Sequence, residues 1–163
     1  MDEEILEKIY TKILNFIAYK QRTEKEVTDR LYRYILESKS PLNQDDAESL
    51  RRVLLGRIAE LGLINDERYI RDFLQSSKPK SKITIRQKLL KKGISREKID
   101  MALRSLDTEY ELKSASKDAQ KKVRALTGLD RRTKQQKLKN YLFRKGYRFE
   151  VINSVVDSVL RVK

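Results

Sequence analysis

The sequence predicts an all-α protein, an elongated and curved array of three tandem three-helix repeats. The first observation is a doubled motif: Leu89-Leu90-Lys91-Lys92-Gly93-Ile94 recurs 53 residues later as Leu142-Phe143-Arg144-Lys145-Gly146-Tyr147. Self-similarity at a fixed spacing is typical of repeat architectures. The second is composition, because only 5 Gly and 2 Pro with 38% charged residues indicate a helical, highly solvated chain. The third is the helical spacing of apolar residues described below.

Residues 1–64 are predicted to form the first repeat. Apolar residues recur at helical spacing along its first helix: Ile5, Ile9, Ile13 and Phe16. Thr23 followed by Glu26 has the spacing of a capping box and predicts the start of a second helix. A turn is expected at Pro41, and a third helix from about Asp45 to a glycine cap at Gly62.

Residues 65–107 are predicted to form the second repeat. Asn65 is expected to cap its first helix, and Lys78-Pro79 to form the following turn. The next helix should end at Gly93, which can adopt a backbone conformation that is costly for other residues. Its expected buried side chains are Ile85, Leu89 and Leu90.

Residues 108–163 are predicted to form the third and most basic repeat. One stripe of its first helix is apolar: Leu112, Ala115, Ala119, Val123 and Leu126. A turn at Gly128 should separate it from a second helix that ends at Gly146. The expected buried side chains of that second helix are Leu138, Leu142 and Phe143.

The chain has neither cysteine nor histidine. This composition removes disulfides, thiolate chemistry, the usual zinc sites and the commonest general base. The first residues are acidic where a signal peptide would be basic, and no apolar run reaches the roughly 18 residues of a membrane span. We therefore expect a soluble cytoplasmic protein with no membrane partner, no metal, no cofactor and no catalytic residues.

Positive charge increases along the chain. The first repeat holds 11 Lys and Arg against 12 Asp and Glu, the second 12 against 6, and the third 15 against 6. A neutral segment followed by two basic ones suggests that a polyanion or an acidic protein surface faces the later repeats. Solvated helix faces with no partner are the alternative interpretation.

Cations at helical spacing are the candidate contacts for such a partner. Four form a ridge about 16 Å long at 1.5 Å per residue along the first helix of the third repeat: Lys113, Lys117, Lys121 and Arg124. The remaining cations lie on the outer faces of three further predicted helices: Arg68, Arg71, Lys88, Lys91, Lys137 and Arg144. Tyr141 is an aromatic residue among them, and its ring could stack on an unpaired base.

Charge recurs on one face of the repeats but side-chain identity does not, since Lys88 corresponds to Tyr141 and Lys91 to Arg144. This pattern favours contact with the phosphate backbone over base reading. A helix-turn-helix within residues 81–106 is an alternative, although its recognition helix would carry few residues suited to bases. A metal-dependent nuclease is the contrasting class, and adjacent acids such as Asp45 and Asp46 diverge on a helix, so they do not form a metal site.

Five stretches resemble RecX regulatory proteins. Residues 62–70, 85–89 and 92–94 look like the junction of the first and second repeats of that family. Residues 138–156 continue the likeness, and residues 19–27 resemble the family's first inter-helix turn, with Thr23 where Ser is usual. The likeness thus spans essentially the whole chain.

The resemblance implies a bacterial modulator of the RecA recombinase in DNA repair and recombination. Such proteins are understood to bind the RecA filament on single-stranded DNA, to lie in its helical groove and to restrain filament growth, ATP hydrolysis and strand exchange. We expect a monomer whose neutral first repeat contacts protein and whose basic repeats face the DNA phosphate backbone. The rival hypothesis is a non-specific single-stranded nucleic-acid-binding protein with no dedicated filament partner.

Overall fold

The computed structural model describes residues 3–38, 43–75 and 80–161. Within these ranges the chain forms nine helices and no strand. The turns predicted at Pro41 and at Lys78-Pro79 lie outside the described residues. The helices are α1 (Glu3–Tyr19), α2 (Glu24–Leu36), α3 (Gln44–Glu60), α4 (Asp66–Gln75), α5 (Lys82–Lys91), α6 (Arg96–Arg104), α7 (Thr108–Arg124), α8 (Arg131–Arg144) and α9 (Phe149–Arg161).

The predicted helix starts at Thr23 and Asn65 are confirmed. The Thr23 hydroxyl accepts a hydrogen bond from the Glu26 amide at 3.3 Å, and the Glu26 carboxylate accepts one from the Thr23 amide at 3.2 Å. The Asn65 side chain accepts a bond from the Arg68 amide at 2.8 Å at the start of α4. Each bond satisfies a backbone donor that the first turn of a helix leaves without a partner.

The chain divides into two compact units. The first contains the described residues up to Phe73 together with Lys91–Ser95, and the second contains those of Leu74–Leu90 and those from Arg96 onward. In the first unit, α1, α2 and α3 pack against one another around a single core. That core consists of Leu6, Ile9, Ile13, Val27, Leu31, Ile35, Leu50, Leu54 and Ile58.

The core of the second unit lies between α7, α8 and α9 and includes a buried polar group. Its apolar members are Ala115, Ala119, Leu126, Leu138, Leu142, Val151, Ile152, Val155 and Val156. The buried Tyr147 hydroxyl donates to the buried Asp118 carboxylate at 3.0 Å. Burial, with the adjacent negative charge of Asp118, raises the pKa of Tyr147. Arg148 closes the same region with bonds of 2.6 and 3.0 Å to the buried Glu111 carboxylate.

Two of the residues that the sequence predicts to be buried are exposed. Leu90 is 40% exposed and Phe143 is 72% exposed, although both were expected inside. Their preceding neighbours, Leu89 and Leu142, are fully buried. Because adjacent helical residues point about 100° apart, the narrow core receives only one of each pair.

The first glycine turn of the doubled motif is packed against the start of α2. Gly93 has φ +76°, as expected of a helix stop, and the buried Thr23 hydroxyl donates to the preceding carbonyl, that of Lys92, at 2.7 Å. The Lys92 ammonium donates to the Glu26 carboxylate at 2.6 Å. Burial raises the pKa of Glu26, but the hydrogen bonds from Lys92 and from the Thr23 amide, together with the positive charge of Lys92, outweigh it and lower that pKa below its usual value. We call this contact the Thr23 join.

The second glycine turn repeats the arrangement within the second unit. Gly146 has φ +80°, and the buried Ser81 hydroxyl donates to the Lys145 carbonyl at 2.6 Å. Thr84 donates to the same carbonyl at 3.0 Å. In this Ser81 join, as in the Thr23 join, a helix-capping hydroxyl binds the carbonyl that precedes a motif glycine. The doubled motif therefore marks two equivalent tertiary contacts.

Candidate nucleic-acid interface

The whole positive excess of the chain belongs to the second compact unit. Residues 1–73 and 91–95 hold 15 Lys and Arg against 15 Asp and Glu, whereas the remaining residues hold 23 against 9. The excess of 14 positive charges in the second unit equals the net charge of +14 for the whole chain. Charge separated in this way directs an anionic partner to one part of the molecule.

Helix α7 separates a buried face from a cationic one. Ala115 and Ala119 are fully buried in the core of the second unit. The predicted ridge residues Lys113, Lys117, Lys121 and Arg124 are all exposed. None of the four is in an ion pair with a described residue, so their charge is available to a partner.

Several acids of the second unit have internal structural roles. Asp118 binds Tyr147 and lies 3.9 Å from the Lys145 ammonium, and Glu111 binds Arg148. Two more cap helices, since Asp107 accepts a bond from the Tyr110 amide at 2.7 Å and Asp130 accepts one from the Thr133 amide at 3.0 Å. Asp100 forms an ion pair with Arg86, with 2.6 Å between the carboxylate oxygen and the guanidinium nitrogen. These acids bind groups within the fold and do not pair with the four ridge cations of α7.

Helix α8 carries six cations and no acid: Arg131, Arg132, Lys134, Lys137, Lys139 and Arg144. The predicted contacts Lys137 and Arg144 are exposed on it. Sequence reasoning missed the other four as candidates. Arg131 and Arg132 occupy the first turn, where the positive end of the helix dipole disfavours cations. Two arginines at such a position are the signal that could have identified them.

Tyr141 does not present an open ring. It is half-buried and packs against the core of the second unit. The ammonium groups of Lys122 and Lys145 lie 5.6 and 5.4 Å from its ring centroid. Both distances are in the range of cation–π contacts, so the ring already has partners within the fold.

The remaining candidates are exposed but belong to different units. Lys88 lies on the part of α5 that belongs to the second unit, while Lys91, at its end, belongs to the first. Arg68 and Arg71 lie on α4 in the first unit. Eight of the eleven predicted contact residues therefore lie in the second unit, and the ridge on α7 is the largest group that one helix carries.

The part of the chain that the structure describes contains no cluster of three or more acidic side chains able to hold a metal ion. Among the same residues, no helix is both long enough and apolar enough to cross a membrane.

Two family models match the chain. Residues 65–103 match the second three-helix domain of RecX, and residues 109–156 match its third three-helix domain. The matched ranges cover α4, α5, nearly all of α6 and most of α7–α9, including the doubled motif in both copies.

Relatives and solved structures agree with these models. The regulatory protein RecX of Streptomyces lividans is 31% identical over 137 residues, which cover 82% of this chain and 68% of that protein. RecX of Leuconostoc citreum is 25% identical over 162 residues, but the chain spans only 56% of its length. The crystal structure of RecX from Lactobacillus salivarius superimposes with a TM-score of 0.74 and 26% identity, covering 95% of this chain and 96% of that one. The chain therefore belongs to the RecX family of regulatory proteins.

Proposed function

We propose that the chain is a negative modulator of the RecA recombinase that binds the RecA filament on single-stranded DNA. In this proposal it lies in the filament groove and restrains filament growth, ATP hydrolysis and strand exchange. Family membership supports the regulatory role. The single observation that carries the nucleic-acid part is the confinement of the +14 excess to one unit, in which the exposed ridge cations of α7 have no ion-pair partner among the described residues.

The two units suit different partners. The first unit has equal numbers of cations and anions, which favours contact with protein, whereas the second suits a phosphate backbone. The described acids do not gather into a metal site, so we propose that the chain acts by binding, without catalysis or a cofactor. We expect it to act as a monomer.

The test is DNA-dependent ATP hydrolysis by a RecA filament at increasing amounts of the chain. Strong inhibition at substoichiometric amounts is the expected result. Inhibition that begins only when the chain saturates the DNA would support the second candidate, a non-specific single-stranded nucleic-acid-binding protein. The same cationic surface favours that candidate, because phosphate contact requires no filament partner.

Matched charge reversals locate the active surface. The variant K88E/K117E/R144E removes three exposed cations from the second unit, and K20E/R33E/R52E removes three from the first. Both change the net charge by the same amount. We expect strong loss of inhibition only for the first variant; equal loss for both would show that total charge, not its location, determines inhibition.

A further inference from the structure

Phe143 is a large apolar side chain on the surface of the most basic helix. It is 72% exposed in the last turn of α8 and is followed by exposed Arg144. The equivalent residue in the preceding copy of the motif, Leu90, is also exposed and is followed by exposed Lys91. An exposed apolar side chain before an exposed cation thus recurs at one register of the fold.

The first three-helix segment shows the same pair. When the capping residues Thr23 and Ser81 are aligned, Tyr32 falls at the position of Leu90, and it too is exposed. Arg33 follows it as an exposed cation. The pair therefore occurs in the second helix of each segment, with an aromatic residue in two of the three.

The surroundings of Phe143 indicate the chemistry of its partner. On an ideal helix its side chain shares a stripe with residues at intervals of three and four, and this stripe has no acid: Arg132, Gln136, Lys139 and Asn140. The Gln136 amide donates to the Asn140 side chain at 3.2 Å. A stripe from Arg132 to Phe143 is about 16 Å long at 1.5 Å per residue. The stripe therefore combines two cations, Arg132 and Lys139, which can contact phosphates, with the exposed aromatic ring of Phe143.

We propose that Phe143 stacks on an unpaired base of single-stranded nucleic acid while the cations of α8 contact the adjacent phosphates. This inference rests on the proposed function and identifies the stacking residue of that site. A base in a duplex is already stacked and paired, so an open ring on a basic helix is suited to a single strand. Tyr141, the aromatic residue expected for this role, already contacts Lys122 and Lys145.

The experiment measures binding of the full chain to a thymidine oligonucleotide and to an abasic oligonucleotide of the same length, across a range of salt. Stacked bases are worth a factor of roughly 5 to 150 in affinity by alanine substitution. We expect F143A to lose affinity by such a factor for the thymidine strand and to bind the abasic strand like the unmodified chain. F143W should restore the affinity, and the salt dependence should stay unchanged, because no phosphate contact is removed.

A matched control is available in Phe149, which is 68% exposed. It follows Arg148, whose guanidinium binds Glu111, and precedes Glu150, so its setting is not cationic. F149A should bind both strands normally. Unchanged thymidine binding by F143A, or an equal loss on the abasic strand, would overturn base stacking.

A third outcome separates a protein partner from a base. If F143A loses inhibition of RecA but keeps full affinity for the thymidine strand, Phe143 contacts protein and the stacking proposal is wrong. Failure of the unmodified chain to inhibit RecA at all would instead contradict the proposed function, while the two oligonucleotides would still measure stacking.

Discussion

Substitution of Gly93 by alanine tests the close packing at the Thr23 join. A left-handed conformation costs an L-residue about 1–2 kcal/mol, and Gly93 has φ +76°. A Cβ added there would also lie 2.3 Å from Cδ and 2.5 Å from Cβ of Lys25. The Lys25 Cβ is fixed to the backbone of α2, so relief requires movement of that helix. Overpacking typically adds about 1–3 kcal/mol, which gives a total loss of about 2–5 kcal/mol.

Gly62 provides the control. It has φ +61°, but an added Cβ would meet no atom within 4 Å, so G62A should cost only the conformational term of about 1–2 kcal/mol. Both glycines lie in the first compact unit, so unfolding of the same unit can be compared for the two variants. The assay is urea unfolding followed by circular dichroism, with linear extrapolation of the free energy of unfolding. Equal losses for G93A and G62A would refute the steric part of the reasoning.

Three further predictions follow from the joins, the buried tyrosine and the ridge. T23V should lower the free energy of unfolding by about 2–4 kcal/mol, because the helix cap is lost and the Lys92 carbonyl loses a donor, while T23S should keep most of the stability; urea unfolding measures both. Because the pKa of Tyr147 is raised in the folded chain, this residue stabilises the fold below about pH 10, the pKa of tyrosine in an unfolded chain, and that stabilisation is lost as the pH rises further. The free energy of unfolding should therefore differ less between the unmodified chain and Y147F above about pH 10 than below it. A difference that stays constant with pH in the unfolding measurements would contradict this reasoning. Replacing Lys113, Lys117 and Lys121 by alanine should reduce the slope of log affinity for single-stranded DNA against log salt by about 2, since each phosphate contact contributes about 0.7; an unchanged slope would show that the ridge does not touch phosphates.

Local patterns in the sequence predict much of the fold, because helix starts and stops depend on neighbouring residues. Thr23 and Asn65 start helices through their own side chains, and Gly93 ends one through its backbone conformation. The same patterns do not predict which member of a leucine pair enters the core. Leu90 and Phe143 are as apolar as their buried neighbours, and what separates them is the direction of the side chain, which depends on the tertiary position of the helix.

Some features of the candidate interface are predictable from the sequence and others are not. The ridge on α7 is predictable because one long helix carries both its buried and its cationic face. The exposure of Tyr141 is not, because Lys122 reaches its ring from another helix. The Thr23 join connects residues 69 apart, and in the sequence its hydroxyl is indistinguishable from an ordinary helix cap.

In both joins the donor precedes the acceptor in the sequence, and this order affects the design of longer repeat arrays. In each, the earlier second helix supplies the hydroxyl and the later glycine turn supplies the carbonyl, across 69 and 64 residues. By the register of the doubled motif, the residue of α8 equivalent to Ser81 is Lys134, which lies inside the helix because α8 begins about a turn earlier, after Asp130. A fourth three-helix module grafted behind α9 would therefore find no matching donor. Its designer would have to shorten α8 and install a serine or threonine at the new cap.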